Sequence, residues 1–501
     1  WPLFVVLLLQ AGLSLSLLAR PVVLDEATYI DAGRAEVAHW LHGTRMVPYE
    51  KIFSGAPVIY PPLSNAAASV GGLFATRLLS LCLMLGATAL LYATARLLLS
   101  ARAAILAAAL FATTSSALYV GVLATYDALA LTLLAAAAWF AVRSAEADGR
   151  RRLYLLAAMC VLLVAANATK YASALWDPVV IAMAMLADAR RRSWGKALVT
   201  AIASAVGTLV LLAIAALVAG PSYVDGLLFS TVARTANNGT PALTILESAG
   251  RWIGLVAVLA VVGAIALTRT PGDRPLKIMA WILAAAVFLA PAEQARIGVA
   301  VSLFKHVGFG AWFAAIPAGY GISVALAALS GSRSDISART KAISAVMAAV
   351  FAAAIAVGIY EAQETNSVPA PYPATVVADL KPILHGSSGP WLADTPNAII
   401  YYTHTSPLRW RSTFGFAYTD PATHSRLHGI AAYVAAIRHG YFSDVILRAN
   451  RKGKSIDQAL LAILRHSQSY HLTIFHPGRG PAGRHASQDV LVWQRLPRGT
   501  G

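Results

Sequence analysis

Long apolar runs recur through the first 361 residues of this chain. They lie near 2–19, 73–99, 103–122, 127–143, 153–169, 171–188, 197–219, 249–268, 277–292, 306–329 and 341–361. A backbone inside hydrocarbon must satisfy its own N–H and C=O groups, so runs able to cover about 30 Å are predicted as transmembrane helices. The pattern predicts a polytopic α-helical membrane protein of about 11 spans. Tight junctions near 122–127 and 169–171 predict helical hairpins. The first run lacks a basic leader and a small-residue cleavage site, which predicts a retained helix rather than a removed signal.

Composition sharpens this reading. The chain is 58% hydrophobic and only 13% charged, with a mean hydropathy of +0.63, whereas soluble domains carry about 25% charged residues. A net charge of +17 raises the question of nucleic acid. The bases sit in short clusters between apolar runs and form no DNA- or RNA-binding motif, so topology control and contact with anionic membrane lipids account for them. Cys82 and Cys160 both lie within apolar runs, which argues against a disulfide framework or a cysteine metal site.

The basic clusters also set orientation. With the first helix leaving the cytoplasm, the inner loops carry Arg96 and Arg102, Arg143 with Arg150–Arg152, Arg190–Arg192 with Lys196, Arg269, Arg274 and Lys277, and Arg333, Arg339 and Lys341. The opposite short loops hold far fewer. This bias predicts that loop 20–72 and tail 362–501 lie outside the cytoplasm, and the Ala-rich, Arg-rich usage predicts a bacterial source, hence an inner-membrane location. In that first loop, Ile30, Val37, Ala38 and Leu41 fall at helical spacing, predicting a short amphipathic surface helix with Asp31, Arg34 and Glu36 on its wet face. A Pro-rich break comes next, at 56–63. The tail opens with a Pro-rich linker, Val368–Pro373. Strands near 391–394, 445–447 and 472–475 and helices at 430–439 and 456–466 then predict a small α/β domain. The division predicted is a membrane domain over 1–361 and an extracytoplasmic domain over 362–501.

Under this topology the charges at helix ends gather on the outer side: Asp25 and Glu26, Asp127, Lys170, Glu293 and Arg296, Lys305 and His306. Acids at a membrane edge are costly and default to function. A carboxylate can take the proton of an acceptor hydroxyl, and cations can receive charge growing on a departing phosphate. Plainer roles stand beside these. Asp127 could cap its helix, Lys170 could snorkel to the interface, and Glu293 and Arg296, spaced i,i+3, could form a local ion pair. Lys305 and His306 precede a predicted helix start, where the dipole disfavours cations, so an anion is expected to compensate them. His39 and His42 with a nearby acid could hold a metal, but two histidines alone specify none. The tail histidines 466, 471, 476 and 485 have no ligand spacing and are expected at the surface.

A first helix followed by Asp25-Glu26-Ala27-Thr28-Tyr29 and Gly33-Arg34, then by Pro61-Pro62-Leu63, resembles the GT-C glycosyltransferases. The branch it is most similar to is that of protein O-mannosyltransferases and lipid A aminoarabinose transferases. Tyr126-Asp127-Ala128-Leu129-Ala130, Thr169-Lys170-Tyr171 and Lys305-His306 look like bacterial members. The resemblance covers most of residues 1–361. It implies a polyprenyl-phosphate sugar donor, an extracytoplasmic acceptor (glycan, lipid or protein) and inversion at the anomeric carbon. By position, Asp25 is the base, and Glu26 beside it orients acceptor or metal. Relatives often carry Lys or His directly before Pro-Pro-Leu, where this chain has Tyr60. The resemblance therefore leaves the phosphate to Lys170, Lys305, His306 and Arg296, or Lys51, with Tyr60 donating a neutral hydrogen bond and Asp127 in support. No cofactor is implied by the residues. Some relatives use a divalent metal ion, so metal dependence stays open. The alternative reading is a transporter or flippase of lipid-linked saccharides, but inverted repeats and matching broken helices are not evident. A non-catalytic assembly subunit is disfavoured by the presence of both acids and outer cations.

Overall fold

The computed structural model describes residues 1–18, 20–231, 239–330, 338–366, 372, 374–413, 415–449, 455–476 and 489–496. Most of the Pro-rich linker, Arg333 and His485 lie outside the described residues. The chain divides into two compact units, one of residues 1–19 with 48–366 and one of 20–47 with 367–501.

The elements of the first half run in order α1 (Pro2–Leu15), α2 (Leu24–His42), α3 (Tyr60–Leu98), α4 (Ala101–Ala112), α5 (Ser115–Gly121), α6 (Tyr126–Ser144) and α7 (Gly149–Thr169). A 3₁₀ turn at Tyr171–Trp176 then leads into α8 (Asp177–Ala189), α9 (Trp194–Ala219) and α10 (Pro221–Ser230). Next come α11 (Ala242–Thr268), α12 (Arg274–Ala285), α13 (Leu289–Ile297), α14 (Leu303–Ser330) and α15 (Ala338–Asn366). All but α2 belong to the membrane unit.

Among the described residues nine helices are long and apolar enough to cross a membrane, or ten if α4 and α5, bent by 66°, make one span. The shortfall from eleven comes from the first run, whose helix is 14 residues long, roughly 21 Å at 1.5 Å per residue. The 39-residue α3 is too long for one span, and Gly71 and Gly72 leave helical geometry to break it, Gly72 at φ +60°. Beyond the break lies the span expected at 73–99. Pro61 and Pro62 occupy the first turn of α3, where a missing N–H costs nothing, so the Pro-rich segment starts a helix rather than only interrupting the chain. Small residues let helices meet closely. A Cβ at Gly263 of α11 would lie 1.9 Å from the Pro317 carbonyl oxygen of α14. Trp176 and Trp312 are buried between helices, their indole N–H groups donating to the carbonyls of Ala286 (3.2 Å) and Ala87 (2.9 Å).

Charge separates along the bundle. The loops joining α6 to α7, α8 to α9 and α11 to α12 form an ion-pair network, with Arg191–Glu146 at 3.2 Å, Arg192–Asp148 at 2.6 Å, Arg152–Asp188 at 2.9 Å and Arg190–Asp273 at 2.8 Å. Asp127 stands in the first turn of α6 and Arg143 in its last. The two ends of this 19-residue helix are roughly 29 Å apart.

In the second unit, α2 packs with α16 (Ala374–Gly386), β1 (Trp391–Ala393), α17 (Pro396–Thr403), β2 (Trp410–Ser412), β3 (Ala417–Thr419), β4 (Arg426–His428), α18 (Gly429–Arg438), β5 (Asp444–Arg448), α19 (Ser455–Arg465), β6 (Tyr470–His476) and β7 (Val490–Arg495). The five-stranded sheet has order β2-β1-β5-β7-β6. β1 is parallel to both its neighbours, and β7 is antiparallel to both of its own. The strands and helices expected in the tail are present. The expected wet face of α2 is not: Asp31 and Glu36 are 7% and 2% exposed, whereas Arg34 and Leu41 face solvent. The reason is α17, which covers the helix. Asn397 donates to Thr28 Oγ1, and the Tyr402 hydroxyl accepts from Val22 N–H at 3.2 Å.

Candidate active site

Four chain segments converge at the end of the membrane unit remote from the arginine network. Thr125 precedes α6 as its N-cap residue, which leaves Asp127 free of capping duty. Its Oδ2 accepts from the Thr125 hydroxyl at 2.8 Å and lies 3.6 Å from Lys305 Nζ, while Oδ1 accepts from Lys170 Nζ. Asp127 is 0% and Lys170 2% exposed. Lys170 sits where α7 gives way to the 3₁₀ turn, its ammonium 4.8 Å from the centre of the Tyr126 ring. Lys305 and His306 fall within the first turn of α14, not before it. Asp127 supplies part of the anionic compensation that this position demands.

One carboxylate therefore serves two buried ammonium groups, with His306 nearby in the wall of the same cavity as Lys170. That cavity encloses about 350 Å³. Ser54, Tyr126, Lys170, Glu293, Gln294 and His306 are among its lining residues. Its floor is held by a short pairing of the loop before α3 with the end of α7. Ala56 N–H donates to Ala168 O at 2.7 Å, and Tyr171 N–H to Ser54 O at 2.9 Å. Gly55 lies so close that a Cβ would come within 2.0 Å of the Thr169 carbonyl oxygen, so only glycine fits beside Lys170.

The structure thus brings together Asp127, Lys170, Lys305 and His306. Arg296 takes the plainer role, both nitrogens Nε and Nη2 donating to Glu293 at 2.7 Å from an exposed position. Tyr60 is buried at the head of α3 and is not among the cavity residues. Asp25 and Glu26 belong to the second unit. Asp25 is half-buried in the first turn of α2, and Glu26 is fully buried with its carboxylate accepting from Val23 N–H at 3.0 Å, a local tie at the helix start. His39 Nδ1 bonds the Thr44 carbonyl at 2.9 Å. Among the described residues no three His, Cys, Asp or Glu side chains gather as metal ligands. Two cavity residues, Tyr126 and Gln294, carry no charge, so charge patterning assigns them no role. Adjacency to Glu293 is the sequence signal that points to Gln294, whereas Tyr126 also opens the Tyr126–Ala130 motif of the family resemblance.

Residues 63–219 match the family model described as dolichyl-phosphate-mannose-protein mannosyltransferase. No curated protein matches the sequence. Among solved structures, ArnT from Cupriavidus metallidurans bound to undecaprenyl phosphate is similar with a TM-score of 0.58 and 15% identity, covering 98% of this chain and 97% of that one. The archaeal oligosaccharyltransferase AglB from Archaeoglobus fulgidus, in complex with an inhibitory peptide and a dolichol-phosphate, gives 0.57 at 13% identity over 89% of this chain and 69% of that one. The arabinofuranosyltransferase AftD from Mycobacteria gives 0.52 at 14% identity over 98% and 41%. The chain has the GT-C membrane fold.

Proposed function

We propose that the protein is an inverting glycosyltransferase that moves a sugar from a polyprenyl-phosphate carrier to an extracytoplasmic acceptor at a bacterial inner membrane. The observation that carries this reading is the concentration of buried positive charge around Asp127 at a cavity wall. Two ammonium groups and an imidazole gathered in a low-dielectric setting form a favourable place for an anion to bind. A phosphate monoester or diester on a lipid is such an anion. The similar ArnT structure is bound to undecaprenyl phosphate, and that of AglB is in complex with a dolichol-phosphate. The arginine network at the far end of α6 supports an orientation with the cavity end outside the cytoplasm.

In this mechanism Lys170 and Lys305, with His306, receive the phosphate, and Asp127 keeps both lysines charged and fixed. Asp25 takes the proton from the acceptor hydroxyl. The hydroxyl oxygen attacks the anomeric carbon from the face opposite the phosphate, the bond from that carbon to the phosphate oxygen breaks, and its electron pair leaves on the polyprenyl phosphate. Phosphate is a good leaving group, so no general acid is needed. A transporter reading has less support, since these charges sit at a bundle end rather than at mid-depth.

The test uses the full-length protein in lipid nanodiscs with radiolabelled undecaprenyl-phosphate sugars and a cell-envelope acceptor fraction. The expected result is release of undecaprenyl phosphate with label on the acceptor, and loss of turnover in Asp25→Asn and Lys170→Met proteins, each by about 10²–10³-fold. Full turnover by Asp25→Asn would remove the base assignment. Movement of label across the bilayer of proteoliposomes without transfer would replace the enzyme with a transporter.

A further inference from the structure

The cavity wall formed by α13 differs from its cationic part. Glu293 and Gln294 both line the cavity, but only one of them is satisfied by protein. Both carboxylate oxygens of Glu293 accept from Arg296. Gln294 is 4% exposed, and its Nε2 donates to the Val301 carbonyl at 2.7 Å. A carbonyl oxygen can only accept, so this bond fixes which end of the amide is nitrogen and which is oxygen. The remaining atom, Oε1, is buried with no hydrogen-bond partner among the described residues. A buried amide oxygen left unmatched forfeits the hydrogen bond that water gives it in the unfolded chain, and a ligand that brings an O–H or N–H restores it.

The proposed donor has three chemical parts. Its prenyl tail has no hydrogen-bonding group, and its phosphate, ionised and bound by lysines, has only acceptors. The sugar alone can donate. We infer that Gln294 is a specificity-determining residue that reads the transferred sugar, its Oε1 accepting a hydrogen bond from a ring hydroxyl or amino group. The inference rests on the cavity being the donor site. It divides labour along the wall: Lys170 and His306 select for phosphate, and Gln294 selects for a carrier that is loaded rather than spent. A site built to accept from a hydroxyl rejects ligands lacking one far more strongly than an apolar wall does, which favours release of the bare carrier after transfer.

Binding to full-length protein in nanodiscs tests this with three probes: undecaprenyl phosphate, undecaprenyl-phosphate mannose and undecaprenyl-phosphate arabinose. Wild-type protein is expected to bind at least one loaded carrier more tightly than the bare one. Gln294→Met should narrow that preference about tenfold, with affinity for undecaprenyl phosphate held within about twofold. Gln294→Glu, which retains an acceptor, should keep the preference. If the Met protein retains full preference, or wild-type protein shows none for either sugar, the inference is overturned. If bare and loaded carriers weaken together in both variants, Gln294 only ties the 298–302 loop through Val301, and the inference is likewise overturned. Failure of wild-type protein to bind undecaprenyl phosphate at all has a separate signature and sinks the donor-site reading itself.

Discussion

Asp127 in the membrane unit and Asp394 in the C-terminal unit are both sealed from solvent, and both meet cations, yet their surroundings differ in stoichiometry. Asp394 is answered by Arg448, whose Nε donates to Oδ2 at 2.6 Å. The Tyr372 hydroxyl donates to Oδ1, and Arg448 Nη2 turns to Thr395 Oγ1 at 2.6 Å. The guanidinium also lies 5.5 Å from the centre of the Tyr372 ring. Both carboxylate oxygens are matched, which makes the cluster a staple joining the ends of β1 and β5 to Tyr372. Asp127 instead holds two lysines beside a cavity. A carboxylate matched by a guanidinium away from any cavity acts as scaffolding, whereas cations gathered at a cavity wall mark a place where an anionic ligand can dock.

The largest effect expected from this contrast is at Asp127. Asp127→Ala removes the carboxylate that two buried ammonium groups share, and should cost about 3–5 kcal/mol of stability together with all measurable transfer. Thermal unfolding in detergent reads the first and the nanodisc assay the second. A variant of near wild-type stability would break the contrast. Added undecaprenyl phosphate should raise the unfolding temperature of wild-type protein, because a ligand bound only by the folded state stabilises it by mass action.

Arg448→Met should destabilise the C-terminal unit by about 3 kcal/mol, since it leaves the Asp394 carboxylate buried without its guanidinium. Its affinity for undecaprenyl phosphate should match wild type. Hydrogen exchange resolved by peptide separates the two readouts, and a fall in carrier affinity would show that the staple is not merely scaffolding.

The smallest effect concerns Asp31 in α2. Burial raises its carboxyl to about 7 even though Arg34, 3.2 Å away, pulls it down. A folded-state value above the unfolded one means the folded form holds the extra proton between roughly pH 4 and 7, so stability is greatest at the acid end of that window and falls as pH rises through it. The slope should approach about 1.4 kcal/mol per pH unit at its steepest. Asp31→Asn should flatten it. Exchange protection of residues 24–42, corrected for intrinsic rates between pH 5 and 8, reads both, and a slope of opposite sign would contradict the burial argument.

Much of the membrane unit is legible in the order of residues alone. The spans expected from 127–143 to 341–361 each fall on helix, but α11 begins at Ala242 rather than near 249, the stretch 277–292 is divided between α12 and α13, and the short α10 lies outside every expected span. The charges at 127, 170, 305 and 306 are recognisable because ionic groups beside apolar runs are rare. The wet face expected for Asp31 and Glu36 is wrong, because a helical pattern shows which positions share a side but not that α17 covers this one. Gln294 and Tyr126 escape a reading by charge because neutral polar residues in apolar helices are common.

Water–hydrocarbon partition acts on each stretch of chain by itself, so the order of apolar segments already determined that this protein is a helical membrane protein. Which cation meets which anion depends on distances between residues far apart in the chain. Asp127 and Lys170 are 43 positions apart. Only their approach in the folded bundle decided that one carboxylate serves two lysines and that the Gln294 amide oxygen lies buried without a hydrogen-bond partner among the described residues, whereas the i,i+3 pair of Glu293 and Arg296 was already legible in the spacing.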